Sequence, residues 1–297
     1  MLSWFLLSGV ALALVGYMTR TAQRLSWPRR QPPPILPAQA GLTSEVVRFR
    51  ARGEVLTIAA WHIPAPGAAQ AVIIAYDGGE WQGHAFAINA RDLAAHLIRT
   101  GVTVLMLDLR DPSERGTTRL TYGSRERRDL LGAVDWLLEQ GYAPGSIGVL
   151  GASIGAVAAI DAANRERAIG ALMIDSACAN VLAMMPRHFR SLSKLPLCFL
   201  PDGRLLKDQA RQRPAELLRV IDRRPVLIIH AKGDQFVPVE RSRALAHAGD
   251  RELWVADCAN HLGAFGANLQ ACHQQVTWFF VVRSPADRLH MLRMPIF

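Results

Sequence analysis

The sequence has little cysteine and none of the short motifs that bind metals or nucleotides. Its four cysteines lie far apart in 297 residues, without a C-x-x-C pair, which argues against a disulfide scaffold and against a zinc or dithiol site. It has no G-x-x-x-x-G-K phosphate loop, no H-E-x-x-H, and no G-x-G-x-x-G opening a first βα unit. We therefore expect buried thiols in a reducing compartment and an activity that needs no cofactor.

Positive charge is scarce outside the amino-terminal end of the chain. The net charge is +9, and residues 1–52 contribute +6 of it through seven arginines against one acid. A nucleic-acid-binding body would present a basic stripe with polar or aromatic side chains among its charges, whereas the remaining 245 residues carry only +3. We expect no nucleic-acid partner.

Residues 1–19 are predicted to form a transmembrane anchor. Leu2 to Thr19 carry no charge, and a helix of that length is roughly 27 Å long, enough for a thin hydrocarbon core. Four arginines follow within the next eleven residues, and such charge stays on the cytoplasmic side. This predicts a single-pass membrane protein whose remaining chain faces the cytoplasm.

Two other interpretations of this segment stay open. Ala11-Leu12-Ala13 resembles the cleavage site of a secretory signal peptide, although the basic residues follow the apolar stretch instead of preceding it. The segment is also compatible with a buried helix. A mature amino terminus beginning after residue 13 would contradict the anchor.

The rest of the chain divides by composition. Residues 20–42 are basic and rich in proline, which is typical of an extended linker. In residues 43–282, two strand-like runs joined at a glycine turn are followed by apolar strands alternating with amphipathic helices, which predicts an α/β fold with a mostly parallel sheet covered on both faces. Residues 178–224 lack a strand and contain apolar stretches, which predicts a lid. Residues 283–297 are a carboxyl-terminal extension beyond the expected final helix, Ala264 to Val282.

One motif carries a specific chemistry. Gly151-Ala-Ser153-Ile-Gly155 fits G-x-S-x-G and lies between an apolar strand and a helix of small residues, the context that this motif requires. In that geometry Ser153 projects its hydroxyl above the sheet, and the amide of Ile154 at the helix start donates to a developing oxyanion.

With two later motifs the chain resembles the α/β-hydrolase superfamily, especially its serine-peptidase-like and membrane-anchored acyl-ester hydrolase branches. Those motifs are G-D-x-x-V-P around Asp234 and A-N-H-L-G around His261. The resemblance covers residues 43–280 and implies that fold, with Ser153 as nucleophile, His261 as general base and then acid, and Asp234 as the carboxylate that orients the imidazole.

Each of the three residues has an alternative interpretation: Ser153 as a small residue at a tightly packed position, His261 as an ordinary surface histidine and Asp234 as a helix cap. Asp175 and Asp257 are substitute acids, and His230 and His247 are the less favourably placed histidines. Where relatives have His-Gly, this chain has Asp77-Gly-Gly79-Glu80. The amide of Gly79 is the candidate donor, and the acidic residues beside it would oppose an oxyanion if they faced it unpaired.

These observations predict a membrane-anchored serine hydrolase that cleaves a carboxylic ester or thioester through an acyl-serine. The partners expected are a small-molecule or acyl substrate and the membrane. An apolar lid bearing arginines suits acyl chains with an anionic head. The alternatives are an amide or peptide hydrolase with the same triad, and a non-catalytic scaffold of the same fold.

Overall fold

The computed structural model describes residues 2–26, 41–76, 83–110, 119–180, 213–221 and 224–282. Within these ranges an eight-stranded sheet forms the centre of the protein. The strands are β1 (Glu45–Arg50), β2 (Thr57–Ile63), β3 (Ala71–Tyr76), β4 (Thr103–Asp108), β5 (Ile147–Ala152), β6 (Ile169–Asp175), β7 (Val226–Ala231) and β8 (Glu252–Ala256).

Helices fill most of the intervals between the strands. They are α1 (Leu2–Ser26), α2 (Gly83–Arg99), α3 (Glu126–Glu139), α4 (Ile154–Arg165), α5 (Pro214–Val220), α6 (Val239–Gly249), α7 (Ala264–Ala267) and α8 (Leu269–Thr277), and a π-helical turn, Trp278–Val282, follows α8.

The sheet is parallel except at one edge. The strand order is β1-β2-β4-β3-β5-β6-β7-β8; β1 pairs with β2 and β2 with β4 in antiparallel fashion, and all other pairs are parallel. The sheet and its helices have the α/β-hydrolase fold that the sequence predicts. Because β3 and β5 to β8 run in one direction, the loops after them meet at one edge, where such sheets hold their ligands.

Two hydrophobic cores lie on opposite faces of the sheet. One packs α3, α4, α5 and α6 against it through residues such as Leu130, Ile160 and Leu245. The other packs α2, α7 and α8 through residues such as Leu93 and Phe265. Every residue of β3, β5 and β7 is buried, which explains why these strands have apolar runs instead of alternation.

The predicted final helix, Ala264 to Val282, is wrong in detail because it is broken at Asn268. This residue has φ −148° and ψ 86°, and its side-chain oxygen accepts the N–H of Ala271 at 3.0 Å. Asparagine competes for main-chain donors in this way and starts a new helix instead of continuing the old one.

The carboxyl-terminal end of the predicted lid segment packs against the core of the domain. Pro214–Val220 forms α5, and Leu218 and Ile221 are buried in the core on its side of the sheet. Residues 181–212 of the predicted lid, most of the predicted linker (27–40) and the carboxyl-terminal extension (283–297) lie outside the described residues.

Helix α1 covers the segment predicted to be a membrane anchor. Among the residues that the structure describes, no helix is long and apolar enough to cross a membrane. The anchor stays a prediction from the sequence.

Candidate active site

Ser153 lies on a sharp turn between β5 and α4. Its φ of +53° and ψ of −110° are unusual for a residue with a side chain, and such backbone strain concentrates at functional sites. The Ser153 N–H donates to the carbonyl oxygen of Asp175 on β6 at 2.9 Å. The residue is partly exposed, so a ligand at the carboxyl edge of the sheet can reach its hydroxyl.

The two glycines of the motif let main chain approach main chain. A Cβ added at Gly151 would collide with the carbonyl oxygen of Gly155, and one added at Gly155 would collide with the carbonyl oxygen of Ala75 in β3. The turn is therefore packed against the end of β3. Glycine is required at both positions because there is no room for a side chain.

Asp234 is held by a turn that its own side chain closes. The turn follows β7, and Asp234 Oδ1 accepts the N–H groups of Phe236 and Val237, each at 2.8 Å. The side chain is fully buried. Aspartate is favoured at such turns because its short carboxylate reaches the amides two and three residues ahead.

His261 connects Asp234 to Ser153. Its Nδ1 lies 2.5 Å from Asp234 Oδ2, and its Nε2 lies 3.1 Å from Ser153 Oγ. Because an ionised carboxylate only accepts hydrogen bonds, Nδ1 carries the proton and the neutral ring accepts the Ser153 O–H at Nε2. The structure thus brings together the three side chains that the sequence analysis selected.

The loops that carry Asp234 and His261 are joined main chain to main chain. The Lys232 N–H donates to the Ala256 carbonyl and the Gly233 N–H to the Cys258 carbonyl, each at 2.8 Å. A Cβ at Gly233 would lie 2.9 Å from the Cα of Ala259. This close packing fixes the separation between the acid and the histidine.

The electrostatic environment keeps Asp234 ionised. Burial alone would raise the pKa of its carboxyl, but the hydrogen bond and charge of His261, with the N–H groups of Val237 and Phe236, outweigh burial and lower that pKa below its usual value. A charged Asp234 stabilises the imidazolium that forms when His261 takes a proton.

The alternative acids and histidines occupy different positions. The Asp257 side chain is 89% exposed and lies 3.5 Å from Lys232, and His247 is exposed on α6. His230 is fully buried in β7. None of these has a hydrogen bond to Ser153 among the described residues.

Asp175 is the alternative acid that lies nearest to the site in the fold. It is completely buried at the end of β6, and its Oδ1 accepts the Ser176 hydroxyl at 2.9 Å. Its Oδ2 has no hydrogen-bond partner among the described residues. Burial, reinforced by the charge of Asp234, raises the pKa of Asp175 to about 7, whereas the pKa of Asp234 is lowered.

Of the two predicted oxyanion donors, one lies within the described residues. Ile154 is the first residue of α4, directly after Ser153, and the first N–H groups of a helix have no partner inside it. The role of its amide as an oxyanion donor stays a prediction from the sequence. Gly79, with the acidic Asp77 and Glu80 around it, lies outside the described residues.

The structure adds a residue that the sequence analysis did not select. The ring of Phe236 packs against His261, with centroids 5.2 Å apart and planes inclined by 58°. The signal for it was the spacing of the Asp234 motif, because an aspartate that bonds the amides at +2 and +3 turns those residues back towards its own partner.

Two other kinds of site, a metal centre and a cysteine nucleophile, are disfavoured in the described part of the chain. Its residues contain no group of three or more His, Cys, Asp or Glu side chains able to hold a metal ion. Burial raises the pKa of Cys178 to about 11 and of Cys272 to about 12, which disfavours the thiolate that a nucleophile needs.

Comparison with known proteins agrees with this geometry. Residues 90–281 match the prolyl oligopeptidase family, which is more than half of the chain. The chain belongs to the prolyl oligopeptidase family. With its structural neighbours, this membership agrees with the α/β-hydrolase fold described above.

This chain is similar in sequence to the uncharacterized protein YqkD of Bacillus subtilis (strain 168). The two are 31% identical over 189 residues, a match that covers 60% of this chain and 62% of that protein. This chain therefore spans less than two thirds of the length of that relative.

Solved structures resemble the fold. The esterase Pf2001 of Pyrococcus furiosus superimposes with a TM-score of 0.68 at 21% identity, covering 85% of this chain and 97% of its own. The acylaminoacyl peptidase of Pyrococcus horikoshii superimposes with a TM-score of 0.57 at 15% identity, covering 80% of this chain and 41% of its own. At these identities the likeness shows the shared fold.

Proposed function

We propose that the protein hydrolyses carboxylic esters or thioesters through an acyl-Ser153 intermediate. The observation that carries the proposal is the unbroken chain from Ser153 Oγ to His261 Nε2 and from His261 Nδ1 to Asp234 Oδ2. A serine hydroxyl is a weak nucleophile until a base removes its proton, and this chain provides the base and the carboxylate that orients it.

The reaction follows from the positions of the protons. Ser153 Oγ attacks the carbonyl carbon of the substrate as its proton passes to His261 Nε2, and Asp234 stabilises the imidazolium. The tetrahedral oxyanion accepts the N–H of Ile154 and the predicted donor Gly79. The leaving alkoxide or thiolate takes the proton from Nε2, and water then attacks the acyl-Ser153 with the same base.

One comparison and one chemical argument support an ester over an amide substrate. The similarity to the Pf2001 esterase extends over nearly the whole of that chain, whereas the acylaminoacyl peptidase is matched over 41% of its chain. An alkoxide or thiolate also departs more readily than an amine. Membership of the prolyl oligopeptidase family favours amide hydrolysis as the second candidate.

Matched substrates separate the two candidates. We would measure kcat/KM for acyl p-nitrophenyl esters, the corresponding thioesters and the corresponding p-nitroanilides, with the Ser153→Ala variant as control. The proposal expects faster turnover of the ester or thioester and loss of all turnover in the variant. Faster turnover of the anilide would favour the amide hydrolase, and equal ester turnover by the variant would remove Ser153 from the reaction.

Membrane attachment is a separate part of the proposal. On α1, Val10, Leu12 and Val15 are 67%, 73% and 54% exposed, and a bilayer would cover such side chains. Extraction of cell membranes with alkaline carbonate tests the attachment: we expect the full-length protein to remain in the pellet. Release of the full-length protein would contradict an anchor.

A further inference from the structure

The turn that carries Asp234 has a second support besides its own carboxylate. The carbonyl oxygen of Val237 lies 2.8 Å from Nε2 of His230, while the N–H of Val237 donates to Asp234 Oδ1. Val237 is therefore held on one side by Asp234 and on the other by His230. A movement of the His230 ring would move the main chain that aims Asp234.

His230 is itself fixed from the opposite side. Its Nδ1 lies 2.7 Å from the hydroxyl of Ser242 on α6, and that hydroxyl lies 3.0 Å from the carbonyl oxygen of Ala177 after β6. His230 and Ser242 are both fully buried. The ring thus connects the Asp234 turn to two elements of the core.

The hydrogen-bond partners determine where the proton of a neutral His230 resides. The Val237 carbonyl can only accept, so Nε2 carries the proton. In the neutral ring Nδ1 is then an acceptor, and it shares the single hydroxyl proton of Ser242 with the Ala177 carbonyl. Burial lowers the pKa of His230, and the charge of His261 acts in the same direction; the Val237 hydrogen bond and the charges of Asp234 and Glu240 act against it. The ring is therefore neutral at neutral pH.

A neutral ring matters because Asp234 Oδ2 lies between two imidazoles. Oδ2 is 2.5 Å from His261 Nδ1 and 3.5 Å from His230 Nε2. A charged His230 would compete for the oxygen that stabilises the His261 imidazolium. A neutral His230 supports the Asp234 turn without competing with His261 for the negative charge of the carboxylate.

We propose that His230 is a positioning residue for catalysis: through the Val237 carbonyl it holds the turn that directs Asp234 at His261. This inference rests on the proposed function, because it assigns His230 a part in activating Ser153. The ring touches neither substrate nor the serine, and it acts through Asp234.

Two amide substitutions separate the two hydrogen bonds of the ring. In His230→Gln the amide nitrogen reaches the position of Nε2 and can donate to Val237, whereas in His230→Asn it reaches the position of Nδ1 and faces Ser242. We expect His230→Gln to label with a fluorophosphonate within about threefold of the wild-type rate, and His230→Asn to label about 100-fold more slowly, the cost of a misplaced catalytic group. Equal labelling of the two variants would overturn the proposal.

A double-mutant cycle distinguishes positioning from general support of the fold. If His230 acts through Asp234, then His230→Asn should change the labelling rate by less than about twofold in an Asp234→Asn background. As a single substitution, His230→Asn should also move the acidic limb of the plot of kcat/KM against pH to lower pH. The reason is that a carboxylate aimed away from His261 stabilises the imidazolium less. If His230→Asn slowed labelling by the same factor in both backgrounds, or if the acidic limb did not move, His230 would have a structural role only.

The same labelling separates failure of this inference from failure of the proposed function. An unlabelled wild-type protein would contradict the function itself. A labelled wild type with a fast His230→Asn variant would contradict only the role of His230. If His230→Asn does not fold, Ser242→Ala replaces it: this variant frees the ring at Nδ1, and we expect labelling intermediate between wild type and Asp234→Asn, whereas the wild-type rate would overturn the inference.

Discussion

Asp234 is the residue for which the geometry predicts the kinetic effect of a substitution most specifically. It fixes the tautomer of His261 by accepting from Nδ1, so that Nε2 is free to take the serine proton. The aspartate in turn depends on main-chain donors from its own turn. Removing its charge while keeping its shape therefore tests the tautomer directly.

We expect Asp234→Asn to lower kcat by about three to four orders of magnitude, with KM little changed. The asparagine amide donates to Nδ1, so the ring presents Nε2–H to Ser153 and cannot act as a base. Steady-state kinetics on the ester measures the loss. Asp257→Asn is the matched control, because that side chain is 89% exposed, and it should keep the wild-type kcat. A comparable loss in both variants would contradict the assignment.

Asp175 gives a prediction about stability and pH. Its pKa is raised to about 7 by burial and by the charge of Asp234, from an ordinary aspartate value of about 4. Between these values the folded protein binds a proton that the unfolded chain has lost, so stability falls as pH rises, and above pH 7 the folded state bears the whole cost of the buried charge. That cost is at most about 4 kcal/mol.

The Asp175→Asn variant should lose this dependence. Urea unfolding at pH 5, 6, 7 and 8 measures it: relative to wild type, the variant should become progressively more stable across that range. Asp129 has the same sign of dependence, since burial also raises its pKa to about 7, but it is present in both proteins and cancels in the difference. A difference that does not change with pH would contradict the buried ionisation.

At the scale of elements, a buried arginine connects three segments near the carboxyl ends of the strands. Arg110, two residues after β4, donates to Asp129 on α3 and to Glu54 in the turn between β1 and β2, at 3.1 and 2.8 Å. Its own N–H donates to Asp129 at 2.6 Å. Burial makes each partner dependent on the others, because a buried charge that loses its partner is costly.

Replacing Arg110 with methionine should therefore destabilise the protein by about 3 kcal/mol or more. Chemical denaturation measures the loss. Arg213→Met is the matched control: the Arg213 pair with Glu216 is on the surface, with both side chains more than 60% exposed, and it should cost less than about 1 kcal/mol. Equal losses of stability in the two variants would mean that burial does not determine how much the Arg110 ion pairs contribute to the free energy of unfolding.

Element boundaries show why some of the fold was predictable and some was not. The buried strands appear in the sequence as apolar runs because both of their faces are covered, as in β3 and β5. The break at Asn268 was missed because its effect comes from one side-chain hydrogen bond, which the apolar periodicity on either side conceals. Helix α5 was missed because it has seven residues, too few to show a period.

At the scale of the whole molecule, the site is assembled from loops that are distant in the chain. Ser153 and His261 are 108 residues apart, and Asp234 is 27 residues from His261. The order of three motifs sufficed to select these residues, because parallel strands bring their carboxyl ends to one edge. The spacing of the Asp234 motif was the only sequence signal for Phe236, and the sequence held none for the support from His230. Both contacts depend on how the Asp234 turn folds back on its neighbours.

The central claim is that Ser153 is an activated nucleophile. The most direct measurement is intact-mass analysis after treatment with a fluorophosphonate, which forms a covalent adduct only with an activated serine, on the wild-type protein and on Ser153→Ala. We expect one adduct on the wild type and none on the variant. No adduct on folded wild-type protein, or an equal adduct on both, would contradict the claim, and the former result would favour a non-catalytic scaffold of the same fold.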